Sequence, residues 1–274
     1  MKKGICYVCI PDGAGVEDRL ATARAAGFDG VELTFHEPGQ GPLTLESSRG
    51  EVQALLDTVR RAGLEVPSVM CGAAVRHTPV LHPEASVRGQ AVRNLALALE
   101  RARWLGATAV LLHPGQLRPE TPYDAAYEWT LQALRNLRPH CEEHGVAIAL
   151  ENVWNKFLLS PMEFRTILDE VNHPLVGAYF DVGNVLLFGY SEHWVRILGR
   201  RIKKVHVKDF KRAIGTIQGF CQLLEGDANY PAVMRELRAI GYDDYLTSEV
   251  SQRDLPPGQT MADVARRIDQ IMQM

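Results

Sequence analysis

AIALENVWNKFLL (Ala147–Leu159), GAYFDVGNVLLFGY (Gly177–Tyr190) and RRIKKVHVKDF (Arg200–Phe210) repeat one arrangement three times: a short apolar run leads into a side chain that can ligate a metal. Those side chains are Glu151, Asp181 and His206. Runs of about 4 to 8 β-branched and small residues with few charges read as buried strands. A fourth run, YLTSEV (Tyr245–Val250), carries Glu249 near its end. A single acid at a strand end is as readily a capping or loop residue, because strands commonly lead into capped helices. Four ligand-type residues at the ends of successive strands describe a divalent-metal site.

Working outward, the chain alternates strand-like and helix-like segments throughout. Gly4–Ile10, Gly30–Phe35, Val66–Met70 and Thr108–Leu112 read as the first four strands. Helices are predicted over Glu17–Ala26, Arg49–Ala62, Pro83–Leu105 and Pro122–His144, each followed by a glycine (Gly27, Gly63, Gly106, Gly145) that supplies a left-handed turn residue. The four ligand-bearing strands follow, separated by helices near Pro161–Val171, Glu192–Leu198 and Tyr230–Ile240, and Met261–Met272 forms a last helix. This alternation implies a parallel sheet, and eight βα units close into a (β/α)8 TIM barrel of the α/β class. With no low-complexity linker, residues 1–274 read as a single domain.

In such a barrel every strand opens its C-terminal end on one face, which carries the active site. Alternation puts Ala147, Ala149 and Glu151 on one side of the fifth strand and Ile148 and Leu150 on the other. The same parity sends Tyr245, Thr247 and Glu249 inward, together with His206 and Lys208. Three carboxylates and one imidazole make a hard, mainly oxygen site, which favours Mn²⁺ and also admits Mg²⁺, Co²⁺ or Zn²⁺. A structural metal site would more commonly be closed by Cys and His.

Composition narrows the class. The 274 residues are 46% hydrophobic and 23% charged, with a net charge of -3, as expected of a globular protein that is not drawn to nucleic acid or anionic membranes. No apolar run reaches a spanning length, and the N-terminal MKKGICYVCIPDG lacks the apolar core of a signal peptide, so a cytoplasmic protein is predicted. Five cysteines do not make a disulfide framework. Cys6 and Cys9 form a CxxC, but on a continuous strand residues three apart point to opposite faces.

The segments ALENVWNKFLLSP, YFDVGN, HVKDF, LLEGDANYPAVMRELRAIGYDDYLTSEV, GFDGVEL and LGATAVLLHPG together resemble the xylose-isomerase-like TIM-barrel family of sugar and sugar-phosphate isomerases and epimerases. Within it the chain is most similar to ketose 3-epimerases of the L-ribulose-5-phosphate and D-tagatose type. The resemblance spans nearly the whole chain. It implies that Glu151, Asp181, His206 and Glu249 bind one Mn²⁺-type ion and that Glu151 and Glu249 also act as acid and base on opposite sides of a sugar carbon. It further implies a small sugar or sugar-phosphate substrate. Self-association into a homo-oligomer is left open.

The chemistry is consistent without the resemblance. A proton beside a ketone leaves quickly only if the resulting enediolate is stabilised, and a metal on the carbonyl and neighbouring hydroxyl supplies that stabilisation. Removal by one glutamate and return by the other inverts the carbon, whereas transfer between adjacent carbons on one face interconverts aldose and ketose. The residues leave both outcomes open.

Further candidates carry two readings each. Asn184 falls where some epimerases of the family place a substrate-holding histidine, a departure from the pattern. Arg212 resembles the family's substrate-gripping arginine or is a solvated loop residue. Lys208 and His113 are expected to face the barrel mouth and hydrogen-bond a sugar, although His113 could equally be structural. Glu32 lines the mouth from the second strand or pairs with a neighbouring base. Trp154 forms an apolar wall or simply packs. The segment from Gly215 to Gly226 could contribute to a phosphate site near the last strands. Three rivals share the fold: a lyase acting on inososes, an endonuclease for abasic DNA, and a non-catalytic sugar-binding barrel. The nuclease pattern needs a histidine soon after Asp181 and an Asp and His pair after the seventh strand, where this chain has Asn184 and KDFKR. An acidic net charge also opposes binding to a phosphate backbone.

Overall fold

The computed structural model describes residues 1–72 and 75–274. Ala73 and Ala74, in the loop expected after the third strand, lie outside the described residues. The strands, in chain order, are β1 (Lys2–Cys6), β2 (Gly30–Thr34), β3 (Ser68–Met70), β4 (Ala109–Leu112), β5 (Ala147–Glu151), β6 (Val176–Asp181), β7 (Ile202–Val207), β8 (Asp209–Phe210), β9 (Phe220–Cys221) and β10 (Tyr245–Ser248). Eight of them close a parallel barrel in the order β1-β10-β7-β6-β5-β4-β3-β2, and β8 and β9 pair separately as an antiparallel ribbon. The helices are α1 (Val16–Ala25), α2 (Arg49–Arg61), α3 (Ala85–Leu105), α4 (Tyr123–His144), α5 (Pro161–Val171), α6 (Ser191–Leu198), α7 (Tyr230–Ala239) and α8 (Met261–Gln273). None of the described helices is long and apolar enough to cross a membrane.

Local chemistry sets these boundaries. Ser48 and Glu51 form a reciprocal capping box at the start of α2, which satisfies two otherwise unpaired N–H groups. Ser160 caps α5 and Pro161 follows in its first turn, where a missing N–H costs nothing. Alternation along the strands then sorts the core into two layers. Ile148, Leu150, Phe180, Val205, Val207 and Leu246 are buried against the helices in one large apolar cluster. Leu111, Ala149 and Tyr179 form a small apolar plug inside the barrel, with Met70 packed on it.

β1 departs furthest from the sequence expectation, while β2, β3 and β4 shift by one or two residues at one end. β1 begins at Lys2 and ends at Cys6, after which Tyr7–Cys9 turn as a 3₁₀ helix. Cys9 is therefore not on the strand, so the strand parity that set it opposite Cys6 does not apply. The short ribbon β8–β9 was not signalled by periodicity; its strands are two residues long.

Register slips once, between Ala178 and Tyr179, where β7 carries one extra residue so that Asp181 pairs with His206. Gly177 makes room for this, since a Cβ there would lie 2.3 Å from the Arg201 carbonyl oxygen and 2.6 Å from Lys203 Cγ. Gly177→Ala is therefore expected to cost about 2–3 kcal/mol, as overpacking does. Gly50→Ala is the contrast: it lies in α2 with nothing within 4 Å of the added carbon, and should gain up to about 1 kcal/mol. Urea melts of the two variants would show the opposite signs, and equal midpoints would contradict this account of the bulge.

Candidate metal centre

The four ligand-type residues come from four consecutive strands of the ring. Glu151 closes β5, Asp181 closes β6, His206 lies within β7 and Glu249 follows β10, so that the two glutamates sit at the ends of an arc covering half the barrel. One ligating atom from each lies within 4.8 Å of all the others. His206 Nδ1 is 3.2 Å from Glu249 Oε2, 3.5 Å from Glu151 Oε1 and 3.8 Å from Asp181 Oδ2. His206 and Asp181 are fully buried, and Glu151 is nearly so.

Asp181 Oδ2, His206 Nδ1 and Glu249 Oε2 are buried without a hydrogen-bond partner among the described residues. Buried polar atoms are ordinarily satisfied, so three orphans that converge on one point mark a place built for another group. A cation with oxygen and nitrogen ligands fits that donor set. Lys208 Nζ stands beside it, 2.7 Å from Glu249 Oε2 and 3.2 Å from Asp181 Oδ2, at ion-pair distance but without hydrogen-bond alignment to either oxygen.

The charges are strongly interdependent. Burial lifts the Glu151 carboxyl to about 7, with the charge of Glu249 adding and His206 opposing. Burial also acts on Glu249, but Lys208 and His206 outweigh it and hold that carboxyl well below the usual range. Asp181 is raised by burial, against the pull of Lys208. Like charges this close cannot all ionise unless positive charge accompanies them, and here the two glutamates are driven apart in proton affinity.

The loops around the ligands are tied to each other. Asn152, the residue after Glu151, donates from Nδ2 to the Asp181 carbonyl at 2.9 Å and accepts from the Asp181 N–H at 2.8 Å, locking β6 to the end of β5. Asn184 N–H donates to Asp181 Oδ1 at 2.7 Å, and its side-chain amide donates to the Asn152 carbonyl at 3.0 Å. Trp154 Nε1–H donates to the Asn184 carbonyl at 2.7 Å. Sequence reading missed Asn152, and the signal available was an asparagine directly after a ligand, a residue able to pair with a backbone N–H and C=O together.

The other candidates fall into distinct places. Glu32 does not line the mouth: it is fully buried inside the barrel and pairs with His206 Nε2 at 2.9 Å, which is the second of its two expected readings. Asn184 is a clamp and not a free substrate-holding group, since its amide is used on backbone, although its Oδ1 accepts from Lys208 at 3.4 Å. Arg212 faces outward, paired with Asp227 at 3.7 Å and stacked over Tyr190, and makes no contact with the ligand cluster among the described residues. The Arg212 grip implied by the family resemblance is thus not formed here. His113 follows β4, is half-buried with Nδ1 accepting from the Gly115 N–H, and has its pKa lowered by burial. Trp154 packs against Phe210 and Phe220, with ring centroids 5.2 Å and 5.1 Å away, in keeping with its packing reading.

A cleft of about 520 Å³ opens beside the ligands, lined by Lys208, Glu249 and Phe220 together with Cys9, Ile217 and Ser251. Ile217 and Phe220 bring part of the Gly215–Gly226 segment to its wall. A larger cavity, about 710 Å³, lies at the opposite end of the barrel around Lys2, Glu65, Lys204 and Tyr245. Its charges are neutralised among themselves by Lys2–Glu65 and Lys204–Asp244 pairs, and no member of the ligand cluster reaches it. The ligand cluster opens on the smaller cleft.

Comparison with known proteins agrees with this geometry. The profile of the family described as Xylose isomerase-like TIM barrel matches residues 20–271. L-ribulose-5-phosphate 3-epimerase UlaE of Escherichia coli (strain ATCC 8739) is 26% identical over 269 residues, covering 94% of this chain and 90% of that protein. Among solved structures, a D-tagatose 3-epimerase-like protein superimposes with a TM-score of 0.81 at 20% identity, over 100% of this chain and 97% of that one. The IOLI protein, described with a binding zinc atom, superimposes with a TM-score of 0.78 at 15% identity, over 99% and 96% of the two chains. The two structural likenesses speak to the fold.

Proposed function

The chain belongs to the Xylose isomerase-like TIM barrel family, and on that premise we propose that it is a divalent-metal-dependent sugar epimerase or isomerase whose substrate is a phosphorylated pentulose or hexulose. The observation that carries this reading is the convergence of Glu151, Asp181, His206 and Glu249, with three orphaned buried atoms, at the mouth of the barrel. The L-ribulose-5-phosphate 3-epimerase relatives, similar along most of the chain, support the choice of a phosphorylated ketose. Glu151, Asp181, His206 and Glu249 would hold the ion, of which Mn²⁺ suits the donor set best and Mg²⁺, Co²⁺ and Zn²⁺ are compatible. When bound, such an ion supplies Lewis-acid stabilisation of negative charge on neighbouring substrate oxygens.

The side chains do the rest. Glu151 and Glu249 lie at opposite ends of the ligand arc, so their free carboxylate edges can approach a carbon in the cleft from different sides. One takes the proton beside the carbonyl and the other returns a proton to the opposite face. Lys208, with Nζ beside Glu249 at the cleft wall, is placed to hold a substrate oxygen. Phe220, backed by Trp154, gives the sugar an apolar surface at the cleft. A small-molecule enzyme of this kind works in the cytoplasm, without nucleic acid or membrane.

A panel of ketopentoses and ketohexoses, each with and without phosphate, tests the proposal by NMR of the products. The expected result is inversion at the carbon beside the carbonyl of one phosphorylated ketose, with abasic DNA left intact. Loss of water from an inosose would favour the lyase, DNA cleavage the nuclease, and binding without turnover across the panel a sugar-binding barrel.

A further inference from the structure

Beneath the four ligands the barrel holds a second polar layer, centred on a carboxylate that the proposed reaction does not use. Glu32 projects from β2 into the lumen and meets side chains from four other strands. Tyr179 O–H donates to its Oε2 at 2.5 Å and Ser68 O–H to the same oxygen at 2.6 Å. Cys6 S–H donates to Oε1 at 3.2 Å, and His206 Nε2 lies 2.9 Å from Oε1. All of these groups are fully buried.

We infer that Glu32 is a positioning residue of the metal centre, fixing His206 as the tautomer that carries hydrogen on Nε2 and presents Nδ1 to the ion. The inference rests on the metal-dependent reading above. An ionised carboxylate only accepts, and its two oxygens offer about four lone-pair sites. Each of the four neighbours must therefore donate, and Nε2 must bear a proton. Nδ1 is then the nitrogen that faces Glu249, Glu151 and Asp181, and it is also the imidazole nitrogen left without a hydrogen-bond partner among the described residues. Tyr179 packs on the ring at 4.3 Å between centroids, which restricts its rotation.

Cys6, Glu32 and His206 themselves lie close enough to hold an ion. Their hydrogen bonds make them a support and not a second metal site: every lone pair of Glu32 is already used by a donor, the Cys6 S–H and His206 Nε2–H among them. A carboxylate behind a ligating histidine orients the ring and strengthens its donor nitrogen, and losing such a partner typically weakens metal affinity by about 10–100-fold.

Glu32→Gln is the informative change because it keeps the shape and removes the charge. The new amide can donate to Nε2, which moves the ring proton to Nδ1 and blocks the ligating atom, while the Ser68 and Tyr179 hydroxyls can turn to compensate. Competition with a fluorescent chelator should show Mn²⁺ binding weakened by about 10–100-fold in Glu32→Gln. Ser68→Ala, which removes a donor to the other oxygen, should lower the melting temperature yet keep Mn²⁺ affinity within about threefold, below that range. A second readout needs no variant: long-range ¹H–¹⁵N spectra of the Zn²⁺-loaded wild-type protein should show His206 protonated at Nε2 and metal-bound at Nδ1. Unchanged Mn²⁺ affinity in folded Glu32→Gln, or the reverse nitrogen assignment, overturns the inference while leaving the metal-dependent reading in place. A wild-type protein that binds no divalent ion takes both down.

Discussion

Dialysis against a strong chelator is expected to abolish sugar turnover, and added Mn²⁺ or Co²⁺ to restore it. Three carboxylates are gathered where, among the described residues, Asp181 Oδ2 and Glu249 Oε2 are buried without hydrogen bonds, an arrangement that repels itself unless a cation is present. Lys208 supplies one positive charge beside two of them. Asp181→Asn should weaken Mn²⁺ binding by at least about 100-fold, beyond what is typical for groups that only support a ligand. His113→Gln should change it little, because its ring nitrogen is engaged with Gly115 and outside the ligand cluster. Metal analysis should give one tightly held ion per chain. Full activity in thoroughly stripped protein would remove the basis of the proposed chemistry.

The other large effect concerns the two glutamates. In D₂O, each turnover should place solvent deuterium on the inverted carbon if, as proposed, the acid that returns the proton is not the base that removed it. Glu151→Gln and Glu249→Gln should each lower kcat by about 10²-fold or more, in line with the loss of one acid or base. Since both also belong to the ligand set, loss of turnover alone would not separate the roles. The separating observation is exchange without inversion: a variant that still binds Mn²⁺ and keeps one base should wash deuterium into unreacted substrate from the surviving face. Product formed without deuterium at the new stereocentre would exclude two-base inversion. Deuterium at the adjacent carbon with an aldose appearing would identify the isomerase outcome.

The barrel and the ligand cluster could be read from sequence because both depend on local rules. Ile148 and Leu150 against Ala149 and Glu151 need only the two-residue alternation of a strand, and the structure sorts them as that period demands. What was not legible depends on distance across the lumen. Glu32 meets His206 174 residues away in the chain, and nothing within GVELTF indicates whether an inward acid faces solvent at the mouth or a partner below it. Asn184 and Arg212 were assigned by resemblance, and both are diverted by local partners: the Asn152 carbonyl for the first, Asp227 and Tyr190 for the second. Cys9 was misplaced because one 3₁₀ turn ended β1 sooner than its apolar run suggested. The proposed acid and base roles of Glu151 and Glu249 came from motif and chemistry together, and the experiments above decide them.

The aromatic wall has a practical consequence. Trp154 holds its indole N–H against the Asn184 carbonyl and its ring beside Phe220, which itself lines the cleft and lies 5.4 Å from Lys208 Nζ. The protein thus carries an intrinsic fluorophore one aromatic ring away from the cleft beside Glu249. Emission from this one indole, isolated by replacing Trp104, Trp129 and Trp194 with phenylalanine, is expected to shift when a compound in the cleft displaces Phe220, even one that never reacts. A library of sugar phosphates could then be ranked by a change in light before any product assay exists.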